Sequence, residues 1–171
     1  MAGIYIHIPF CKQACNYCNF HFSTSLKFKE ELVNALSQEI GDRRSYLEQP
    51  LETVYLGGGT PSLLGGGDLD KIFSAIRTHF TFDQLKECTL EANPDDINVS
   101  FLEQLKATPV DRLSIGIQSF RAADLEFMNR AHNAEEAIQA VGRAQQAGYD
   151  NITIDLIYGT PGLSNRDWKE N

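Results

Sequence analysis

Three cysteines near the start of the chain are the residues best suited to chemistry. Cys11, Cys15 and Cys18 follow a short apolar run with the spacing C-x3-C-x2-C. Cysteine thiolates bind iron–sulfur clusters, normally four to a cluster. Three thiolates can bind three irons of a cubane and leave the fourth iron open, and an open metal position is where metal-assisted chemistry takes place. The spacing therefore favours a reactive iron–sulfur site on this loop.

Two other uses of these cysteines remain open from spacing alone. His21 follows Cys18 at a workable distance for a closed Cys3His zinc shell, although zinc sites typically pair two short knuckles across a long gap. A disulfide scaffold is less consistent with a chain of 171 residues that has four cysteines, since such a chain can build its own core. The fourth cysteine, Cys88, lies inside a predicted strand and is expected to be a buried small side chain rather than a ligand.

Composition and charge exclude several classes of protein. The chain is long enough for one domain, and no apolar run approaches the length of a membrane span. Its 15 basic and 23 acidic residues give a formal net charge of −8, whereas a nucleic-acid-binding surface would be basic. The N-terminal residues run directly into a strand without a targeting pattern. Together with reduced cysteines and an oxygen-sensitive cluster, this predicts a cytoplasmic location and no nucleic-acid partner.

The elements that position the cysteine loop are predicted from hydrophobic periodicity. Strands are expected at residues 3–9, 51–56, 87–91, 112–117 and 151–158; helices are expected near 26–48, 68–80, 99–106, 121–129 and 134–147, and from Ser164 or Asn165 onward. Such alternation produces right-handed βαβ units around a parallel sheet. Five units fit an incomplete barrel or an open sheet. The last helical pattern has no stop signal at residue 171, which predicts a chain truncated from a larger protein.

Polar residues and glycines stand where the predicted strands end. In parallel α/β folds, ligands bind at the carboxyl ends of the strands. Glycines 57–59 follow strand two, Glu91 ends strand three and Gln118 ends strand four, while Asp155 lies within strand five. A glycine run is most often a plain turn, and Arg130 would by default be a solvated charge at a helix end. Asp155 is more informative, because a carboxylate in an apolar strand requires a partner.

These motifs, in this order, resemble a known family. An aromatic residue, Tyr17, precedes the last cysteine of C-x3-C-x2-C, as in the radical S-adenosylmethionine superfamily. The more specific resemblance is to the oxygen-independent coproporphyrinogen III oxidase family, and it spans essentially the whole chain. The matching segments are YIHIPFC (5–11), GGGTP (57–61), EANP (91–94), LSIGIQSF (113–120), NR (129–130) and IDLIYG (154–159). Phe20 stands where the decarboxylating oxidases have a further cysteine, so the sequence looks like the HemW-type branch of heme chaperones.

The resemblance implies a fold, cofactors and a set of site residues. It implies a partial (β/α)6 radical-SAM barrel of parallel strands, truncated after about five β/α units. Residues 1–171 would form an incomplete core domain, and the C-terminal domain of the family would be absent. Cys11, Cys15 and Cys18 would bind a [4Fe-4S] cluster, whose open iron is chelated by S-adenosylmethionine. The residues implied around S-adenosylmethionine are Tyr5, Tyr17, Gly58, Gly59, Thr60, Glu91, Gln118, Arg130 and Asp155.

The function implied by the resemblance is that of a heme chaperone. Such a protein would bind the cluster and S-adenosylmethionine and deliver heme to an acceptor protein, with an electron donor as a further partner. In the HemW-type branch the segment linked to heme lies in the C-terminal domain, beyond residue 171, so the 171-residue chain is expected to bind heme weakly or not at all. A decarboxylating coproporphyrinogen oxidase is the alternative, and a zinc-stabilised binding module is the second alternative. His7 belongs to the family-like first strand and is expected to make a structural hydrogen bond.

Overall fold

Five parallel strands form one open sheet, in which each strand pairs with its neighbour in the sequence. The computed structural model describes residues 2–171 of the chain. The strands are β1 (Ala2–Ile8), β2 (Leu51–Gly58), β3 (Glu87–Ala92), β4 (Arg112–Gln118) and β5 (Asn151–Leu156). All four pairings are parallel. The predicted α/β class with five parallel strands is therefore confirmed.

Helices connect the strands close to the predicted positions. They are α1 (Lys29–Asp42), α2 (Gly66–His79), α3 (Val99–Leu105), α4 (Ala122–Phe127), α5 (Ala134–Gln146) and α6 (Asn165–Glu170). Helix α1 begins three residues later than predicted, because the Lys27 amide donates to Ser25 Oγ and the Lys29 amide donates to the Leu26 carbonyl group, which forms a turn before the helix. It also ends earlier, and a separate 3-10 turn follows at Arg44–Tyr46. Sequence periodicity thus located this helix but overestimated its length.

The hydrophobic core lies on one face of the sheet. Residues of a strand point alternately to its two faces, and Ile6, Ile8, Leu56, Leu90 and Leu113 all lie on the buried face. They form a single cluster with apolar side chains of four helices, among them Val33, Ile72, Leu102 and Ala140. The helices therefore cover this face, and the residues in between must point to the other one.

The opposite face of the sheet is polar and aromatic. It carries Tyr5, Tyr55, Glu91 and Ser114, and the strand register places Tyr5 beside Tyr55 and Glu91 beside Ser114. The side chain of Tyr5 is 59% exposed, because the five strands do not close into a complete ring. A barrel interior without a ligand is normally filled by branched apolar residues. A polar inner face at the carboxyl ends of the strands therefore indicates a ligand surface. Among residues 2–171, no helix has both the length and the apolar character that crossing a membrane requires.

Candidate functional site

The three cysteines lie on one loop that leaves the carboxyl end of β1. Cys11, Cys15 and Cys18 are free, partly buried thiols, and all three line a cavity of about 310 Å³. Burial raises the pKa of the Cys11 thiol; a hydrogen bond with Thr60 opposes this, and the neighbouring Cys18 and Cys15 raise the pKa further. Cys11 is therefore close enough to the other two thiols to experience their charge, as a ligand of the same cluster would be.

The same geometry does not favour a closed zinc site. Within residues 2–171, no three histidine, cysteine, aspartate or glutamate side chains are arranged around a point that could hold a single metal ion. A cubane binds its thiolates through different irons, so its ligands lie farther apart than those around one zinc ion. His21 borders the cavity without completing a Cys3His shell. Cys88 is fully buried in the core, as the sequence predicted.

Strand ends provide most of the remaining wall of this cavity. The predicted residues that line it are Tyr17, Gly58, Gly59, Thr60, Glu91, Gln118, Arg130 and Asp155. Glu91 and Asp155 thus face the same space from β3 and β5. Tyr5 is not part of this wall: its ring lies 5.9 Å from that of Tyr55, and its hydroxyl group is 3.0 Å from His7 Nδ1. That contact is the structural hydrogen bond expected for His7.

Glu91 links the second and third strands beneath the cavity. Its Oε1 accepts from the Tyr55 hydroxyl group at 2.7 Å, and its Oε2 accepts from the Gly58 amide at 3.1 Å. Burial raises the pKa of Tyr55, and its bond to the Glu91 carboxylate raises it further, so the phenol remains a donor. Tyr55 packs on Tyr5, so this aromatic pair supports the Glu91 side chain in the cavity wall.

The glycines at the end of β2 are required because other parts of the backbone and side chains pass close to them. Gly58 has a φ of +114°, and a Cβ added there would lie 2.7 Å from the His7 ring. A Cβ on Gly59 would lie 2.6 Å from the Phe10 carbonyl oxygen and 3.0 Å from Cys11 Sγ. A glycine run is most often a plain turn. The contacts give a different reason at Gly59, which makes room for the cysteine loop.

Arg130 is the cation of the site, and it is not the solvated helix-end charge expected by default. Its Nη2 donates to Asn93 Oδ1 and to the Gly116 carbonyl oxygen, both at 2.7 Å. Its Nη1 lies 3.3 Å from Cys15 Sγ and 3.3 Å from the Tyr17 hydroxyl group. Burial raises the pKa of Tyr17 to about 12, and the positive charge of Arg130 opposes this effect. The guanidinium therefore lies between the cysteine loop and β4.

Gln118 and Asp155 complete the cavity on the side of the last two strands. Gln118 has a φ of +70°, at a shift in the register between β4 and β5. A left-handed non-glycine residue at a strand end redirects the side chain, and such sites cluster at ligand-binding positions. The Asp155 carboxylate makes no hydrogen bond or ion pair to another residue of the described chain, 2–171. Burial raises its pKa and Arg112 lowers it.

Two features of the site fit a bound ligand with donor and acceptor groups. Arg130 borders the cavity, and its guanidinium can pair with an anionic group of a ligand. Asp155 is exposed, so its carboxylate does not require the partner expected from the sequence; it lines the cavity and can accept from hydroxyl or ammonium donors there. The three thiols lie at the other end of the same cavity, where an iron–sulfur cluster would fit.

Some site residues escaped the sequence-based assignment of roles. Asn93 donates from Nδ2 to Thr60 Oγ1 at 3.2 Å and also holds Arg130, so it joins three loops. It stands in the EANP segment, directly after β3, and that placement could have identified it. Tyr55 could have been found from its inward position on β2. Gln13, which ties the cysteine loop to the end of α4, gave no signal in the sequence, and its partner Asn129 was marked only by the family-like NR segment.

Comparison with known proteins identifies the family. The sequence profile of the radical SAM superfamily matches residues 5–171. The chain is 39% identical over 165 residues to the heme chaperone HemW of Bacillus subtilis (strain 168), and 33% identical over 166 residues to HemW of Escherichia coli (strain K12). These alignments cover 95% of this chain and 44% of each relative. The chain therefore spans less than half the length of these relatives.

A solved structure has the same fold. Coproporphyrinogen III oxidase (HemN) from Escherichia coli, described as a radical SAM enzyme, superposes with a TM-score of 0.87 at 29% identity. The alignment covers 97% of this chain and 39% of the oxidase. The open five-stranded sheet thus corresponds to part of a radical SAM barrel, as the sequence predicted. The chain belongs to the radical SAM superfamily, and within it to the family of HemN and HemW.

Proposed function

We propose that this chain binds a [4Fe-4S] cluster and S-adenosylmethionine and forms the core of a heme chaperone. The observation that carries the proposal is that three free thiols and the carboxyl ends of four further strands line one cavity. Cys11, Cys15 and Cys18 would hold the cluster. The cluster and S-adenosylmethionine together supply one-electron chemistry when bound.

The side chains around the cavity fit the groups of S-adenosylmethionine. Arg130 would pair with the carboxylate of its methionine part, because a guanidinium pairs well with carboxylates and Arg130 borders the cavity. Asp155 and Glu91 supply carboxylate acceptors for ammonium or hydroxyl donors. Tyr17 offers an aromatic ring at the mouth of the same cavity. Gly58, Gly59 and Thr60 present backbone at the wall, and Gln118 adds an amide. Tyr5 does not line the cavity; it packs on Tyr55, which donates a hydrogen bond to Glu91.

Heme delivery is favoured over decarboxylation by Phe20 and by the similarity to relatives named HemW. Phe20 lines the cavity beside the cysteines and is 76% exposed, so an apolar ring stands where the oxidase branch has a thiol. Relatives named heme chaperone HemW align over nearly the whole chain at 31–39% identity. Heme, a heme-accepting protein and an electron donor are accordingly proposed as partners of the complete protein.

The oxidase remains the second candidate, because the fold superposes closely on that of HemN. Both functions need the same cluster, so the cluster alone does not separate them. The separating experiment compares two anaerobic assays on full-length protein containing this chain: transfer of heme to an acceptor and decarboxylation of coproporphyrinogen III. We expect heme transfer and no decarboxylation. Sustained decarboxylation would move the assignment to the oxidase branch.

A further inference from the structure

Helix α4 ends in a Schellman motif with an unusual residue in its left-handed position. The Arg130 amide donates to the Leu125 carbonyl group, and the Asn129 amide donates to that of Glu126. This is the pair of bonds that defines the motif. Asn129 occupies the C′ position with a φ of +55°, where glycine is the usual residue because it has no Cβ. The choice of asparagine therefore requires an explanation.

Helix α5 of the same chain shows the ordinary form of this motif. The Tyr149 amide donates to the Ala144 carbonyl group, and the Gly148 amide donates to that of Gln145. Gly148 has a φ of +96°, and a Cβ added to it would meet nothing within 4 Å. The two helix ends thus have the same backbone hydrogen bonds and differ in the C′ residue. Only α4 has a side chain there, and that side chain makes hydrogen bonds to the cysteine loop.

The Asn129 side chain holds the cysteine loop. Its Nδ2 donates to the Ala14 carbonyl group at 2.8 Å, and its Oδ1 accepts from Gln13 Nε2 at 2.8 Å. Gln13 Nε2 also donates to the backbone carbonyl group of Asn129 at 2.9 Å. On the other side of Cys15, the Asn16 amide donates to the Met128 carbonyl group at 3.0 Å. Cys15 is thus held from both sides by the end of α4.

The middle of the cysteine loop has few other attachments. Residues 13–16 lie in neither helix nor strand, and the hydrogen bonds they make to distant parts of the described chain go to residues 127–130. Lys12 is tied separately, by an ion pair with Asp95 at 2.8 Å. Arg130, the next residue of the Schellman motif, reaches Cys15 Sγ. One helix end therefore sets the position of both Cys15 and the guanidinium.

We propose that Asn129 is a positioning residue that holds Cys15 in the place required for the cluster. This inference rests on the proposed cluster site and adds to it. An unattached loop would have to be ordered when the cluster binds, and ordering costs conformational entropy. The side-chain amide of Asn129 reduces that cost because it holds the loop in place before the cluster binds. Groups that orient metal ligands typically change metal affinity by about 10- to 100-fold when they are removed.

The test exchanges the C′ residues of the two helices. Asn129→Gly removes the amide and retains the left-handed backbone, so the cluster-free protein should melt at the same temperature or higher. After anaerobic reconstitution, its cluster should be lost to a chelator about 10-fold faster than in the wild-type protein, and the electron paramagnetic resonance spectrum of the reduced cluster should change. The matched control is Gly148→Asn, which makes the reverse exchange at a helix end without contacts. It should leave the rate of cluster loss unchanged.

A third variant isolates the donor. Asn129→Asp keeps an acceptor for Gln13 and loses the donor to the Ala14 carbonyl group, so it should also lose its cluster faster. Equal rates of cluster loss for the wild-type protein and Asn129→Gly would overturn the inference while leaving the cluster site intact. Failure of the wild-type protein to take up a cluster would instead overturn the proposed function, and this inference with it.

Discussion

At the scale of single residues, three cysteine thiols are proposed cluster ligands, and the fourth is a buried side chain of the core. Cys11, Cys15 and Cys18 line the cavity, whereas Cys88 is fully buried among apolar side chains. Burial raises the pKa of Cys88 to about 12, so it remains a protonated, inert thiol at neutral pH. The first prediction uses this contrast.

Cys15→Ala should abolish the charge-transfer absorbance of the reconstituted cluster, because two thiolates and a methyl group cannot retain a cubane. Cys88→Ala is the matched control. It should keep the absorbance and lose about 1 kcal/mol of folding stability through the small cavity it leaves. A full complement of iron and sulfide in Cys15→Ala would show that the ligands were wrongly assigned.

A second prediction concerns Gly59. In Gly59→Ala, the new Cβ would press on the Phe10 carbonyl oxygen, which cannot move without displacing the cysteine loop. We expect a loss of about 1–3 kcal/mol in the free energy of unfolding and a reduced iron content after reconstitution. Gly67→Ala provides the comparison, since a Cβ there meets nothing within 4 Å in helix α2. It should stabilise the protein by roughly 0.5–1 kcal/mol. Equal stability of the two variants would contradict the close approach.

At the scale of secondary-structure elements, the end of β4 is the most constrained part of the site. Buried His132 contacts the Ile117 carbonyl group through Nε2 at 3.0 Å, next to left-handed Gln118. Burial lowers the pKa of His132 and the charge of Arg130 lowers it further, while the Ile117 carbonyl group, Asp95 and Glu136 act in the opposite direction. The imidazole is therefore favoured in its neutral form in the folded protein.

The lowered pKa of His132 gives a pH-dependent stability with a definite sign. In the unfolded chain the imidazole takes up a proton near its usual pKa of about 6.5; in the folded state it does so only at lower pH. Its contribution to stability is therefore complete above about pH 6.5 and is lost as the pH falls toward the folded-state value. Melting temperatures of the wild-type protein should decrease over this range more steeply than those of His132→Asn. Parallel profiles for the two proteins would rule out this source of pH dependence.

Most of the elements could be predicted from the sequence, and the contacts between them could not. Strand positions follow from alternating apolar residues such as Ile4, Ile6 and Ile8, because that pattern is local. The inward position of Arg130 and the left-handed conformation of Asn129 depend on how α4 meets the cysteine loop. Nothing local encodes that meeting, so the resemblance of segment 129–130 to the family, and not a local pattern, indicates that Arg130 and Asn129 belong to the site.

At the scale of the whole molecule, the sheet described by residues 2–171 has an edge strand on each side. Within this range β1 pairs with β2 alone, and β5 pairs with β4 alone. Ile154 of β5 is 38% exposed, and Tyr158 and Trp168, at the same end of the chain, form an edge-to-face aromatic pair. Exposed strand edges with apolar side chains favour association with other chains. Because the chain spans 44% of the length of its HemW relatives, we propose that further chain covers this edge in the complete protein.

The exposed edge leads to a prediction about association. The 171-residue chain should form concentration-dependent oligomers in sedimentation experiments. Ile154→Lys should suppress them, because a lysine on an edge strand opposes strand pairing. Glu126→Lys, a surface charge change away from both edges, serves as the control and should not affect them. A chain that remains monomeric at high concentration would contradict the view that these edges require covering.

We propose above that the cysteine loop and the strand ends form one site for the cluster and S-adenosylmethionine. The most direct test is electron paramagnetic resonance of the anaerobically reconstituted, reduced protein, recorded with and without S-adenosylmethionine. We expect about four irons per chain and a spectrum that changes on addition of S-adenosylmethionine. In Asp155→Ala, which lacks a carboxylate of the cavity wall, the spectral change should be much weaker. An intact cluster whose spectrum does not respond to S-adenosylmethionine would contradict the claim that the two ligands share this cavity.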